Sequence, residues 1–362
     1  MLHTTKQGIW KYEKRLPNVS EENQISLGEG QTPLVRSIRI GKEVGLNHLY
    51  FKLESLNPTG SYKDRISAMG VSLAKDNGRS ACTGTTSGNA GGSIAAYASR
   101  AGLAYNVFVQ ENIVASKLEP MIIHQANITK VLGFGYSPDV GNRVFGKVLD
   151  NARDNNWEML VTAYAFAPLA MEAVKTIAYE LDEQLAVEAD AVFVPVGGGG
   201  LLTGIYRGYA DLLTGGEVSR VPSFAACQST GCDNIVQAWR LGRDKPLAGE
   251  STSRISGIQV PNPPDAVEVL QALRTSGGFA EAIADEETWN WQEQLAVKEG
   301  IFCEPAGAIA LAGAVQALKE GRIGQDTQVI CIISGAGYKD TDRMGKLVGG
   351  ASPIQTVSVA EL

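Results

Sequence analysis

Four consecutive glycines, Gly197, Gly198, Gly199 and Gly200, stand between an apolar run at residues 192–196 and a helical pattern that begins at Leu201. The apolar run predicts a buried strand, and glycines between a strand and a helix let several backbone amides converge on one phosphate. Neither the Gly-Lys-Ser/Thr ending of a P-loop nor the G-x-G-x-x-G spacing of a dinucleotide site is present. A tight turn would explain the same glycines, so this segment alone leaves both interpretations open.

Strand and helix patterns alternate along most of the chain, which predicts an α/β fold with parallel sheets covered by helices. With 362 residues, of which 44% are hydrophobic, the chain can bury a large core and form two domains. Strand patterns at residues 81–82, 106–109, 129–132 and 159–162 alternate with helical ones, and a further helical pattern follows at residues 171–181. The four strand patterns predict a small four-stranded domain that spans about residues 67–164.

Lys63 lies after a β-type run at residues 48–54 and a Pro/Gly loop, and before a helical pattern from Ile66. This order places a primary amine at a helix N-terminus, where the helix dipole and burial both disfavour its charged form. A lysine held neutral can form a Schiff base with an aldehyde. A solvated lysine in a first helical turn is the alternative interpretation.

Two more segments carry small polar residues at strand ends. Residues 83–93, rich in Gly, Ser and Thr, are expected to form a loop between a short strand at residues 81–82 and a helix at 94–100. Hydroxyls and open amides at a helix start can bind a carboxylate-sized anion. Ser334 ends a buried-strand run and precedes Gly335, which suits a ligand at the crevice of an α/β sheet. Each segment by itself is equally consistent with a simple turn.

Taken together in this order, the segments resemble the fold-type II pyridoxal-phosphate enzymes, with threonine synthase nearest in pattern. Tryptophan synthase β and the serine/threonine dehydratases belong to the same superfamily. The resemblance runs from Trp10 to Asp340 and includes the Glu304-Pro305-Ala306 segment. It implies two domains, each with a mostly parallel twisted sheet, and a cofactor in the cleft between them. The large domain would comprise residues 1–66 plus 165–362, and the small mobile domain residues 67–164.

The resemblance also implies roles for matching residues. Lys63 would form the Schiff base with pyridoxal 5'-phosphate and later move the Cα proton, Asn89 would bind the ring hydroxyl, and Ser334 would face the ring nitrogen. The cofactor would be held further by Gly197, Gly198, Gly199, Gly200 and Leu201. The substrate carboxylate would be bound by Thr85, Thr86, Ser87, Gly88 and Asn89. Residues 253–264 are expected to form a mobile loop over the site.

The threonine synthase pattern is incomplete where the substrate's own phosphate would bind. Tyr164, Ala165 and Ala170 stand where Asn, Ser and Arg are expected, and Ala90 replaces a threonine. Alanine in place of arginine removes a bidentate phosphate clamp. Either of two other arginines could serve instead, namely Arg143 or Arg153. A less polar subsite, lined by Tyr164, Phe166 and Leu169, is the corresponding expectation.

The predicted function is therefore that of a threonine synthase-like lyase that eliminates or replaces a β or γ leaving group on a small amino acid. A serine facing the ring nitrogen cannot keep it protonated as a carboxylate can, which favours elimination over transamination. Three alternatives stay open: threonine synthase proper, a serine/threonine dehydratase or cysteine-synthase-like β-replacement enzyme, and a non-catalytic relative of the fold.

Charge and composition argue against several classes of binding partner. A net charge of −7 argues against nucleic acid and anionic membranes. The sequence has no apolar run of about 18 residues and no signal-peptide core. The five cysteines are scattered and are expected to be reduced, and no metal-ligand cluster is recognised. These features predict a cytoplasmic enzyme, and the resemblance implies a homodimer.

Overall fold

The computed structural model describes residues 6–134, 138–247, 249–350 and 354–359. Ten strands lie in this part of the chain, in two sheets. They are β1 (Leu34–Arg36), β2 (His48–Lys52), β3 (Ala81–Thr86), β4 (Ala104–Gln110), β5 (Asn127–Val131), β6 (Glu158–Met159), β7 (Ala191–Pro195), β8 (Ser223–Ser229), β9 (Phe279–Ile283) and β10 (Gln328–Ile332).

The larger sheet has the strand order β1-β2-β10-β7-β8-β9. All of its pairings are parallel except that of β1 with β2 at one edge. The smaller sheet has the order β5-β4-β3-β6 and is parallel throughout. Two mostly parallel sheets with covering helices confirm the predicted α/β class. The four strands of the smaller sheet fall within the range predicted for the small domain, whose boundaries stay a prediction.

The described α-helices connect and cover these strands. They are α1 (Ile40–Val44), α2 (Lys63–Asp76), α3 (Asn89–Ala101), α4 (Ala115–Ile123), α5 (Pro138–Asp154), α6 (Pro168–Met171), α7 (Thr176–Gln184), α8 (Gly200–Thr214), α9 (Asn234–Arg240), α10 (Ala266–Thr275), α11 (Asp285–Gln294), α12 (Pro305–Lys319) and α13 (Thr341–Gly349). Short 3-10 segments occur at Gly8–Arg15, Glu21–Asn23, Glu54–Leu56, Glu172–Lys175 and Gly337–Lys339, and one π-helical turn at Leu295–Glu299. No helix among the described residues is long and apolar enough to cross a membrane.

Helix α12 shows how composition fixes packing against the larger sheet. Its residues are mainly alanine, glycine and aliphatic, and nearly all are buried. A Cβ on Gly313 would lie 2.5 Å from the Cys227 sulfur on β8. The small side chains thus let this helix approach the strands that carry the site.

Three sequence expectations need correction. Strand β3 continues to Thr86 and α3 already begins at Asn89, so most of the loop expected at residues 83–93 is regular structure. The β-branched threonines pair with β4, and Gly84 accommodates the Leu160 carbonyl oxygen, which would lie 2.5 Å from a Cβ. The strand expected at residues 159–162 is only Glu158–Met159, because the chain leaves the sheet after the Leu160 amide binds Thr83. The helix expected at residues 171–181 is divided among α6, a 3-10 turn and α7.

Candidate active site

The lysine loop is joined to the C-terminal end of β10. Helix α2 begins at Lys63, which puts this residue at a helix N-terminus. The amide of Tyr62 donates to the Ser334 carbonyl oxygen at 3.2 Å. The amide of Ala336 donates to the carbonyl oxygen of Gly60 at 2.9 Å. These two backbone bonds hold Lys63 beside Ser334, although the two residues are far apart in the sequence.

The Lys63 amine has a hydroxyl partner. Its Nζ donates to Thr162 Oγ1 at 2.7 Å and lies 4.7 Å from the centroid of the Tyr62 ring. Thr162 follows the small sheet's strand β6, so this bond joins elements from both sheets. Sequence reasoning placed Thr162 in a strand and gave it no role, because nothing in its local pattern signals a contact with a lysine 99 residues away.

A buried ionic network fixes the start of α2. The Arg65 guanidinium is fully buried and donates to Glu54 and Glu180 at 2.5–2.8 Å. Lys52 donates to the same Glu180 carboxylate at 2.6 Å. The network links β2, α2 and α7 two residues beyond Lys63. Removing one partner would leave a buried charge unpaired, at a cost of about 3–5 kcal/mol. The network therefore holds the start of α2 in a fixed position.

The loop between β3 and α3 is organised by Thr86. Its Oγ1 accepts hydrogen bonds from the amides of Gly88 and Gly91 at 3.1 and 3.0 Å. The hydroxyl thereby caps two amides at the start of α3. Its sequence neighbours, Thr85 in β3 and Ser87 in the loop, line the same cavity as Lys63.

Asn89 faces a buried carboxylate. Its Nδ2 donates to both oxygens of Glu304, at 2.9 and 3.0 Å. Burial raises the pKa of Glu304, and the charge of Lys117 and the hydrogen bond from Asn89 oppose that rise. Glu304 precedes Pro305 at the start of α12. The segment was part of the sequence resemblance, but Glu304 itself was not recognised as a site residue.

The glycine loop connects β7 to α8. Gly199 has a φ of +101°, in the left-handed region that favours glycine. A Cβ on Gly199 would lie 2.8 Å from the Asp265 carbonyl oxygen, and one on Gly200 would lie 2.5 Å from the Met171 side chain. Within the described residues, the amides of the four glycines make no hydrogen bond. Glycine is therefore required at position 199 by both its φ and its packing, and the open amides of the loop stand at the N-terminus of a 15-residue helix.

One cavity of about 310 Å³ brings the predicted site residues together. It is lined by Lys63, Thr85, Thr86, Ser87, Gly88, Asn89, Gly197, Gly198, Gly199, Gly200, Leu201 and Ser334. Gly257, Ile258, Val260 and Pro264 contribute to its wall, so the predicted loop at residues 253–264 does lie over the site. The cavity also contains residues that the sequence did not point to, among them Gln110, Lys117, Phe134, Thr162 and Glu304.

Residues 164–170, the segment expected to bind a substrate phosphate, do not line the cavity. The amides of Tyr164 and Ala165 donate to the Asp265 carboxylate at 2.9 and 3.0 Å, which turns the segment toward α10. Phe166 stacks on Phe145 with ring centroids 4.7 Å apart. The predicted apolar subsite is therefore wrong: Tyr164, Phe166 and Leu169 do not line the cavity, whereas Val161, Thr162 and Ala163 do.

The two arginines considered as substitutes are on the surface. Arg143 is 79% exposed and pairs with Asp139 within α5. Arg153 is 71% exposed and pairs with Asp150 and Asp154. Neither side chain lines the cavity.

The residues present fit pyridoxal phosphate. The Oδ1 atom of Asn89 is buried and has no hydrogen-bond partner among the described residues, so it is available to a ring hydroxyl. The open amides of the glycine loop suit a phosphate. Lys63 supplies the amine and Ser334 a hydroxyl, both at the wall of the same cavity.

Comparison with known proteins agrees with this geometry. The family model described as "Pyridoxal-phosphate dependent enzyme" matches residues 25–335. A threonine synthase of Methanocaldococcus jannaschii is 36% identical over 92% of this chain and 81% of its own length. A threonine synthase of Mycobacterium leprae is 30% identical over 97% of this chain and 94% of its own length.

Solved structures of lower identity share the fold. The processed form of threonine deaminase isoform 2 from Solanum lycopersicum superimposes with a TM-score of 0.74 at 17% identity and covers 98% of both chains. Maize serine racemase superimposes with a TM-score of 0.73 at 20% identity and covers 94% of this chain and 97% of its own. Our chain therefore belongs to the pyridoxal-phosphate-dependent enzymes of fold type II, as a lyase related to the threonine synthases.

Proposed function

We propose that this enzyme eliminates or replaces a β or γ leaving group on a small amino acid, and that Lys63 both carries pyridoxal phosphate and moves the Cα proton. The observation that carries the proposal is the convergence of Lys63, Asn89, the glycine loop and Ser334 on one cavity. A non-catalytic relative would not need an amine at the position of Lys63.

The group that faces the ring nitrogen selects the reaction type. Bound in the cavity, pyridoxal phosphate would supply an electron sink for negative charge at the substrate Cα. Ser334, which is 5% exposed at the end of β10, offers a neutral hydroxyl instead of a carboxylate. A neutral partner does not hold a proton on the ring nitrogen. This arrangement favours prompt loss of a leaving group over transamination.

In this proposal Lys63 transfers the Cα proton of the substrate. The charged side chains that line the described part of the cavity are Lys63, Lys117 and Glu304. Glu304 is engaged by Asn89 through both oxygens. The Lys63 amine is oriented by the Thr162 hydroxyl, and an amine so placed can accept a proton and return it on the same face.

The substrate-side clamp differs from the threonine synthase pattern. Ala170 stands where an arginine is expected, and its short apolar side chain is buried, with its Cβ 3.2 Å from where a Cβ on Gly70 would lie. Arg143 and Arg153 are exposed on α5. We therefore infer that no guanidinium fork binds the leaving group, and that the preferred substrate differs from phosphohomoserine or binds it through other groups.

Conversion of phosphohomoserine to threonine is the second candidate. It is favoured by two relatives that carry the name threonine synthase and match more than nine-tenths of this chain. Lys117, a second cation in the cavity, gives this candidate a structural basis.

We also propose that the enzyme is a cytoplasmic homodimer, as predicted from the sequence. Its molecular mass measured by sedimentation equilibrium tests whether it is a dimer.

The experiment is a visible spectrum of the purified protein, followed by addition of serine, threonine, O-phosphoserine and O-phosphohomoserine one at a time. We expect a cofactor band that shifts with at least one of them. Release of a 2-oxo acid identifies elimination, and threonine as product identifies the second candidate. If no band forms even after pyridoxal phosphate is added, the catalytic proposal is wrong.

A further inference from the structure

A cavity of about 190 Å³ lies apart from the active site, where α7 ends and where a loop joins α8 to β8. None of the residues that line it also lines the active-site cavity. Its charged lining residues are Asp182, Glu188, Glu217 and Arg220. Three carboxylates therefore share this space with one guanidinium.

The arginines near this cavity are already paired. Arg15 donates to Glu217 at 2.5 Å, and Arg220 is paired with a carboxylate that does not line the cavity. Glu188 accepts hydrogen bonds from the amide and the hydroxyl of Ser219, at 2.7 and 2.6 Å, and both donors are neutral. Both arginines are therefore engaged by carboxylates other than that of the third acidic residue.

That third acidic residue is Asp182, near the end of α7. Its carboxylate forms no salt bridge and no hydrogen bond among the described residues. Burial raises its pKa, and the carboxylates of Glu217, Glu188 and Glu183 raise it further, whereas Arg15 lowers it. A cation placed in the cavity would relieve this repulsion.

The Tyr209 hydroxyl is a second group without a partner. The Tyr209 side chain is only 3% exposed and lines the cavity, and its hydroxyl makes no hydrogen bond within the described part of the chain. Burial raises the pKa of Tyr209, and the charges of Asp182 and Glu188 raise it further, so the hydroxyl lies near these two carboxylates. A buried hydroxyl without a partner is unfavourable, and a ligand with N–H donors would satisfy its oxygen.

The rest of the wall indicates the kind of cation. It is apolar and consists of Leu185, Ala186, Ala189, Val218 and Pro222. In the ranges that the structure describes, no group of three acidic, histidine or cysteine side chains is arranged to hold a metal ion. The C-terminus of α7 beside the cavity favours positive charge through the helix dipole. An organic cation with an alkyl chain fits these features better than a metal ion.

We propose that this cavity binds a small organic cation with an ammonium or guanidinium head and a short alkyl chain. The head donates to the Asp182 carboxylate and to the Tyr209 hydroxyl oxygen, and the chain packs on the apolar wall. Tyr209 lies on α8, whose first residue, Gly200, lines the active-site cavity, so the ligand contacts a helix that reaches the active site. Binding here does not depend on which reaction the active site catalyses.

The test is calorimetric titration of the cofactor-loaded protein with three probes. N-Butylguanidinium and N,N-dimethylbutylammonium carry the two cationic heads, and neither is a primary amine that would form a Schiff base with the cofactor. N-Butylurea has nearly the shape of the guanidinium and no charge. Wild type should bind at least one of the two cations about 10-fold or more tightly than butylurea.

Two substitutions remove the two proposed contacts. Asp182→Asn should weaken the preferred cation about 10- to 100-fold, and Tyr209→Phe about 3- to 10-fold. Glu22→Gln, a control that removes the same charge from an exposed position, should leave its dissociation constant unchanged. Because the Tyr209 hydroxyl has no partner to lose, Tyr209→Phe should not lower the free energy of unfolding when no probe is present. The visible cofactor band should be the same in all four proteins.

Each outcome decides for or against the cation site. A preference for one cationic head, lost in Asp182→Asn and reduced in Tyr209→Phe, supports the proposal and identifies the head. No binding of either cation, equal binding of butylurea, or an unchanged affinity in Asp182→Asn would overturn it. Potassium chloride or calcium chloride that displaces the probe, when sodium chloride at equal ionic strength does not, would assign the cavity to a metal ion and also overturn it. A less stable Tyr209→Phe protein would show that the hydroxyl has a structural partner and would count against the site.

Discussion

The glycine loop offers a prediction in which two neighbouring positions should respond very differently to the same added methyl group. Gly199 has a φ of +101°, and its Cβ would lie 2.8 Å from the Asp265 carbonyl oxygen and 2.9 Å from the Val269 side chain. Gly198 lies outside the left-handed region, and its Cβ would meet Pro264 at 3.4 Å, an ordinary contact. Gly199→Ala should therefore be strongly destabilising and Gly198→Ala nearly neutral.

The magnitude follows from two separate costs at Gly199. A side chain at this positive φ costs about 1–2 kcal/mol. Forcing the Cβ against a backbone oxygen that cannot rotate away costs about 1–3 kcal/mol more. Gly199→Ala should thus lower the free energy of unfolding by about 2–5 kcal/mol. For Gly198→Ala neither cost applies, and the smaller entropy of the unfolded chain keeps the change within about 1 kcal/mol of zero.

Urea denaturation of the cofactor-free proteins measures the two free energies of unfolding, and titration with pyridoxal phosphate then measures cofactor affinity. The cofactor-free measurement isolates the protein's own strain from any contact with the phosphate. Gly199→Ala should also bind the cofactor more weakly, because relief of the strain displaces the amides. Equal destabilisation by the two substitutions would refute the reasoning from φ and Cβ contacts.

Three further results are expected. Lys63→Ala should abolish the cofactor's visible band without changing the circular dichroism, and a wild-type spectrum would contradict the role of Lys63. Ser334→Asp should depress elimination and raise the share of transamination, since a carboxylate would hold a proton on the ring nitrogen; an unchanged product ratio would count against it. Burial opposes ionisation of Glu180, yet Arg65 and Lys52 lower its pKa from 4.5 to about 2. The ionised carboxylate therefore stabilises the folded protein fully above pH 4.5, and this stabilisation is lost as the pH falls toward 2. Glu180→Gln should flatten the fall of the free energy of unfolding across that interval in urea titrations, and an equally steep fall would show that another group is responsible.

The sequence correctly indicated features whose signal is local. A lysine after a Pro/Gly loop, four glycines before a helix and a serine ending an apolar run each depend on a few consecutive residues. Strand and helix alternation likewise predicted the parallel sheets. Errors arose where a distant contact decided the local structure. Pairing with β4 extends β3 beyond the expected end, and the Asp265 carboxylate turns Tyr164 away from the cavity.

What the sequence by itself determined was the chemistry available: an amine, an amide, open backbone amides and a hydroxyl, each at the end of a strand or the start of a helix. Which other groups share that space was decided only by the tertiary structure. Thr162 meets Lys63 across 99 residues and Glu304 meets Asn89 across 215, because the order of strands in two sheets brings their ends to one cleft. Lys117 shows the same limit, since a lysine in an ordinary helical turn becomes a buried cation only when Gly88 and Ser256 close around it.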